Sequence, residues 1–233
     1  MKNTNKQISL CLCLLILGLL CVIGCSKKDA AAPDTNTDKS TAGNIAGMGE
    51  TPGDLTGKEF HFPTAVEITG GIKGDLFVGP QSGYCQKLGC GAFVLLQFNF
   101  VNKTGKDTIL VFPAGLTFHS QNTEDQNGII LQDIAIALNK GASCKTMIYS
   151  FCINEHRHAS DVTSIYRFGP ITNAAPMVEL LDLLKNKNIN LKAGEQPDIM
   201  GRVGSLQTMV WNLTEGNGLT DLDRDNIGKL ENK

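Results

Sequence analysis

Glu155, His156, Arg157, His158 and Asp161 form the densest cluster of ionisable side chains in the chain. They follow a strand-like stretch, where a scaffold commonly presents site residues on a loop. Imidazoles and carboxylates so close together could pass protons, and an enzyme reading would rest on this loop. No nucleophile accompanies them, so a solvated polar loop is the preferred reading. The chain contains no serine-hydrolase elbow, no phosphate-cradling glycine loop, no His-Glu-x-x-His and, after residue 25, no Cys-x-x-Cys. The common hydrolase, nucleotide-binding and thioredoxin-like readings are thereby weakened.

The first residues carry the sharpest signal. Lys2 and Lys6 precede an uncharged, largely apolar run from Ile8 to Ile23, which stops at Val22-Ile23-Gly24-Cys25. That is the layout of a secretory signal, shorter than the roughly 20 residues of a membrane span and lacking an Ala-x-Ala cleavage site. The ending resembles the bacterial lipoprotein box. The resemblance implies that Cys25 is lipid-modified, that residues 1–24 are removed and that acyl chains hold the mature chain on a membrane. It places the protein in a bacterial cell envelope, with the outer membrane as the expected location and a periplasmic or surface-facing orientation left open. From Ser26 to about Gly57 the chain has no period of apolar residues and is rich in Ala, Thr, Gly and Asp. Such a stretch buries too little to offset its ordering entropy, so residues 25–57 are expected to be a lipidated, flexible tether. Residues 58–233 then form a single extracytoplasmic domain. The formal net charge is −2, from 21 basic and 23 acidic residues, with no basic cluster beyond Lys27-Lys28. Nucleic-acid binding is therefore unsupported.

Cys85, Cys90, Cys144 and Cys152 remain once the signal and Cys25 are set aside. An even number in an exported domain reads as two disulfides, of which Cys85 to Cys90 and Cys144 to Cys152 is the preferred pairing, with Gly83, Gly89 and Gly91 allowing a tight first loop. Zinc is the competing reading, with Cys85, Cys90, His61, His119, His156 and His158 as possible ligands. The Cys-x4-Cys spacing is loose, so neither a metal nor a cofactor is expected. Asp221, Asp223 and Asp225 alternate as at the start of a calcium loop, but Asn226 replaces its turn glycine and Asn232 its bidentate glutamate. A charged tail is the better reading.

The elements that must position these groups change period along the chain. Asp75–Val78, Ala92–Val101, Thr108–Phe112, Leu116–His119, Gly128–Leu138 and Lys145–Ile153 read as strands, and Asn102–Asp107 as a turn pairing the second with the third. After Pro176, Met177, Leu180, Leu181 and Leu184 fall at i, i+3, i+4, i+7, the stripe of a helix. A second helix is expected from an N-cap at Ser205 through Leu206, Met209, Val210 and Leu213 to about Gly216. The expected fold is α+β: an antiparallel sandwich or barrel-like sheet with a C-terminal helical subregion.

Phe151-Cys152-Ile153-Asn154, a Leu-rich helix, then Leu206-Gln207-Thr208-Met209-Val210-Trp211 resembles the thioester domains of bacterial surface adhesins. Those domains combine an aromatic-Cys motif with a Gln-x-x-(Ile/Val)-Trp segment and join a cysteine thiol to a glutamine side chain. The resemblance covers about residues 150–216 and implies Cys152 as the thiol and Gln207 as the acyl donor. The expected function is a lipid-anchored binding or adhesion module for an unidentified protein or glycan. A covalent adhesin is the alternative, and an envelope enzyme using the Glu155–Asp161 loop is the third.

Overall fold

The long uninterrupted strand Val94–Asn102 organises the sheet. Its residues are buried or half-buried throughout, and Val94, Leu96, Phe98 and Phe100 share one face at the two-residue period of a strand. The computed structural model describes residues 38–76, 83–192 and 194–233. The signal peptide 1–24, the lipidation site Cys25 and the tether as far as residue 37 lie outside the described residues. From residue 38 onward the chain forms one compact unit.

In chain order the strands are β1 (Gly57–Lys58), β2 (Val66–Ile68), β3 (Ile72–Asp75), β4 (Gln86–Gly89), β5 (Val94–Asn102), β6 (Thr108–Phe112), β7 (Leu116–Ser120), β8 (Gly128–Ile129), β9 (Ile134–Leu138), β10 (Ser143–Cys152) and β11 (Ile165–Thr172). The helices are α1 (Ala175–Leu184), α2 (Arg202–Thr214) and α3 (Asp221–Lys229). The antiparallel ring β5-β3-β11-β7-β8-β10 closes through β5–β10 pairing, making a six-stranded barrel. β1 and β2 extend it, β4 joins β10 in parallel, and β6 with β9 forms a separate two-stranded ribbon. The fold is α+β, and the β part is a barrel.

The expected β5–β6 hairpin does not form. Asn102 takes over the turn: its side-chain N–H donates to the carbonyls of Lys106, Leu138 and Asn139, steering the chain toward β9. Burial agrees, because β5 is covered on both faces whereas Ile109 and Val111 of β6 are exposed. β6 therefore belongs to an outer layer. Inside, Phe98 and Phe100 of β5 stack at 5.1 Å between ring centroids, and Phe112, Phe118 and Phe168 close around them at 5.4–6.1 Å. Such contacts add about 0.5–1.5 kcal/mol per pair beyond burial.

A second core lies under the helices, where Met177, Leu180 and Leu184 of α1 meet Val203, Leu206, Val210 and Leu213 of α2. α1 occupies its expected position. α2 begins three residues before the expected cap, because the Asp198 carbonyl accepts the N–H groups of Gly201, Val203 and Gly204 and Ser205 becomes a helical residue. The Asp221–Asn226 stretch is helical: Thr220 and Asp223 form a capping box, so these carboxylates serve α3.

Residues 38–56, which the sequence assigns to the tether, pack into this second core. Ile45 and Met48 are buried beside Leu213 and Ile153, Gly43 N–H donates to the Leu213 carbonyl and Gly49 N–H to that of Ile153. Burying two such side chains contributes about 1.5–3 kcal/mol each.

The disulfide pairing also differs from expectation: Cys85 joins Cys144, with Cα atoms 5.9 Å apart, while Cys90 and Cys152 are free thiols. Each pair proposed from the sequence spans one extended strand. Cys85 and Cys90 flank β4, and Cys144 and Cys152 lie near the two ends of β10. At about 3.3 Å per residue those separations are roughly 16 and 26 Å, beyond the ~7 Å limit for a bridge. Parallel pairing of β4 with β10 sets Gln86 opposite Thr146, bringing Cys85 beside Cys144.

Candidate functional site

The end of β10 meets α2 through one side chain. Gln207, 1% exposed, accepts the Cys152 N–H at 2.9 Å through Oε1 and donates to the Cys152 carbonyl at 2.7 Å through Nε2. The carboxamide thus makes the paired hydrogen bonds that a neighbouring strand would make, at a point where the backbone leaves the sheet. One helical turn on, the Trp211 indole N–H points to Cys152 Sγ at 3.5 Å, and the Asn154 N–H approaches the same sulfur at 3.2 Å. Burial pushes the Cys152 thiol up to about 12, against the opposing effect of those two donors. It is protonated at neutral pH and a poor nucleophile in this state. Cys90 is similar: burial raises its thiol to about 12, opposed by the Arg202 guanidinium.

After Cys152, Asn154 fixes the chain's departure. Its side chain accepts the Asn127 N–H and donates to the Gly49 carbonyl. The polar loop that follows divides. Glu155 N–H donates to Glu215 Oε1, and His156 Nε2 stands 3.3 Å from Glu215 Oε2. The main chain of Arg157 and His158 instead binds the 124–126 segment: His158 N–H donates to the Glu124 carbonyl, and Gln126 caps the carbonyls of both residues. Asp161 closes a local turn. The Thr163 hydroxyl and the N–H groups of Thr163 and Ser164 bind its carboxylate and hold it below the usual carboxylate range. Two of the five loop residues named from the sequence therefore meet Glu215, just past the end of α2, and three do not.

Two recesses flank Trp211. Phe93, Ile199, Met200 and Thr208 line one; Glu155, His156, Thr208, Asn212 and Glu215 line the other. Phe93 supports the indole at 5.5 Å between centroids. The arrangement offers an apolar surface and an acidic, hydrogen-bonding surface on either side of one aromatic wall. Glu215 was missed by sequence reasoning. Its signal is positional, since a carboxylate just past a helix C-terminus opposes the macrodipole and needs a local reason. Phe93, Met200 and Thr208 carry no comparable signal.

The Cys/His zinc set does not assemble, because Cys85 is consumed by its disulfide. Among the described residues, the side-chain donors of Glu155, His156 and Glu215 do lie within 4.8 Å of one another. Among those residues no helix is long and apolar enough to cross a membrane. No family model, curated protein or solved structure matches the chain.

Proposed function

We propose that this is a lipid-anchored, extracytoplasmic binding or adhesion module of a bacterial envelope, which docks a protein or glycan partner in the cleft around Trp211. The observation that carries the reading is the pair of recesses sharing Trp211 and Thr208, one apolar and one acidic. Aromatic rings set beside hydrogen-bonding groups suit protein hot spots and sugar faces alike. Trp211 itself packs on Cys152, so substituting it would confound binding with folding. Thr208 is exposed and borders both recesses. On arrays of extracellular proteins and glycans, Thr208→Arg should abolish binding without changing the thermal unfolding midpoint. A variant that binds like the parent would sink this assignment of the cleft.

Covalent attachment is a second reading, favoured by a free Cys152 thiol and a Gln207 carboxamide that hydrogen-bonds the main chain of that same residue. In that chemistry the thiol adds to the carboxamide carbon, the C–N bond breaks, and ammonia leaves with the thiol proton. A partner amine then displaces the sulfur, giving an amide and restoring the thiol. Both Gln207 polar atoms are engaged by the Cys152 main chain, so the binding reading leads. Mass spectrometry of the native protein in methylamine should show no adduct. Alkylation after unfolding without reductant should label Cys90 and Cys152, with Cys85 and Cys144 labelled only after reduction. A gain of one methylamine, lost in both Cys152→Ala and Gln207→Ala, would make the covalent reading the leading one.

A further inference from the structure

We propose that Glu155, His156 and Glu215 bind a divalent transition-metal ion of the zinc class. The inference rests on the meeting of the loop with the end of α2, and stands whether or not the Trp211 cleft receives a partner.

The donor set comes first. One imidazole nitrogen and two carboxylates lie within 4.8 Å of one another. The 3.3 Å between His156 Nε2 and Glu215 Oε2 is close to the roughly 3.4 Å edge of a tetrahedral site with bonds of about 2.1 Å. Glu215 is held in place: its side chain is 12% exposed and its Oε1 accepts the Glu155 N–H, leaving Oε2 turned toward the imidazole. Glu155 is exposed, so its carboxylate can swing the remaining distance at little cost. A mixed nitrogen and oxygen set suits zinc and its first-row neighbours better than calcium or magnesium, which favour all-oxygen shells.

Local charge points the same way. The recess beside Trp211 and the one adjoining it bring together Glu50, Glu155, Glu215 and His156, with no Lys or Arg among the described residues lining either. Glu215 caps the carbonyl end of α2, whose last turn has no basic residue. Carboxylates gathered at the negative end of a helix repel one another, and a bound cation removes that penalty. A buried polar group adds an independent sign. Thr214 is fully buried and lines the recess shared by His156 and Glu215, and its hydroxyl has no hydrogen-bond partner among the described residues. An unmatched buried hydroxyl is costly, and one lying beside this recess marks the end of α2 as a place where a polar partner is missing. Three protein ligands leave a coordination position open toward solvent, as in zinc sites that exchange their fourth ligand.

The test is titration of Zn2+ into the chelator-stripped full chain in detergent, followed by calorimetry and thermal unfolding. Wild type should take up one ion saturably and unfold at a higher temperature in Zn2+, reversibly with EDTA. His156→Ala and Glu215→Gln should each weaken uptake by at least about tenfold. His158→Ala and His61→Ala should bind as wild type does, separating this site from other exposed imidazoles. His156 is exposed, so its variant should keep the wild-type far-UV circular dichroism, and the isosteric Glu215→Gln provides a second variant expected to fold. Absence of saturable uptake by wild type, or unchanged uptake in both ligand variants, overturns the proposal.

Discussion

Gln207 uses both ends of its carboxamide on the N–H and C=O that flank the Cys152 Cα, and the consequence is energetic rather than catalytic in the resting protein. Both partners are fully buried. Removing the carboxamide leaves an N–H and a C=O without that match where water does not reach, at about 1–3 kcal/mol each. Gln207→Ala should therefore destabilise by about 2–6 kcal/mol in urea unfolding, whereas neighbouring exposed Thr208→Ala should stay within about 0.5 kcal/mol. Equal effects of the two would show that the Gln207 bracket contributes nothing. The residue types of this site were legible in the sequence as a Cys, a Gln and a Trp near one another in the fold. Their relation was not. Spacing along α2 puts Gln207 and Trp211 on one face, but nothing in it says that the amide meets the main chain of Cys152 while the indole N–H meets its sulfur.

Elements obey the same division between what is local and what is not. Gly49 adopts φ +57° in the segment that wraps the helical core, and an added Cβ there would lie 2.4 Å from the Thr214 carbonyl oxygen. Gly70 adopts φ +77° with nothing within 4 Å of the same added atom. Gly70→Ala should thus cost only its backbone strain, about 1–2 kcal/mol, while Gly49→Ala should cost clearly more because backbone must move. Thermal unfolding of the two variants would measure the difference, and a smaller loss for Gly49→Ala would refute the wrapping contact. The sequence shows why this segment was read as a tether: Ile45 and Met48 are its only fully buried apolar side chains, and two residues make no period. The helix over 175–184 was legible because Met177, Leu180 and Leu184 repeat at helical spacing. β5 and β6 were each legible as strands, yet their partners were set by Asn102 and by which faces are covered. The disulfide failed for a related reason, since it depends on β4 lying parallel to β10, a contact 59 residues apart.

At the scale of the whole molecule, the compact unit takes in residues that the sequence assigns to the tether. If Cys25 carries the lipid and the compact unit includes residue 38, twelve residues, 26–37, lie between them. Fully extended, they reach at most roughly 40 Å at about 3.3 Å each, which would bound the distance between that lipid and residue 38. Acylation and the fold boundary can be checked together. Protease treatment of membranes carrying the protein should release a soluble fragment whose N-terminus lies at or before residue 38, because cutting nearer residue 57 requires pulling Ile45 and Met48 out of the helical core. In Cys25→Ala the intact protein should already be in the soluble fraction, or remain as unprocessed precursor, since a chain without lipid lacks the about 0.8 kcal/mol that each buried methylene contributes to anchoring. Release beginning at residues 50–58 would return the 38–56 segment to the tether. Membrane partitioning and processing unchanged by Cys25→Ala would remove the proposed lipid anchor.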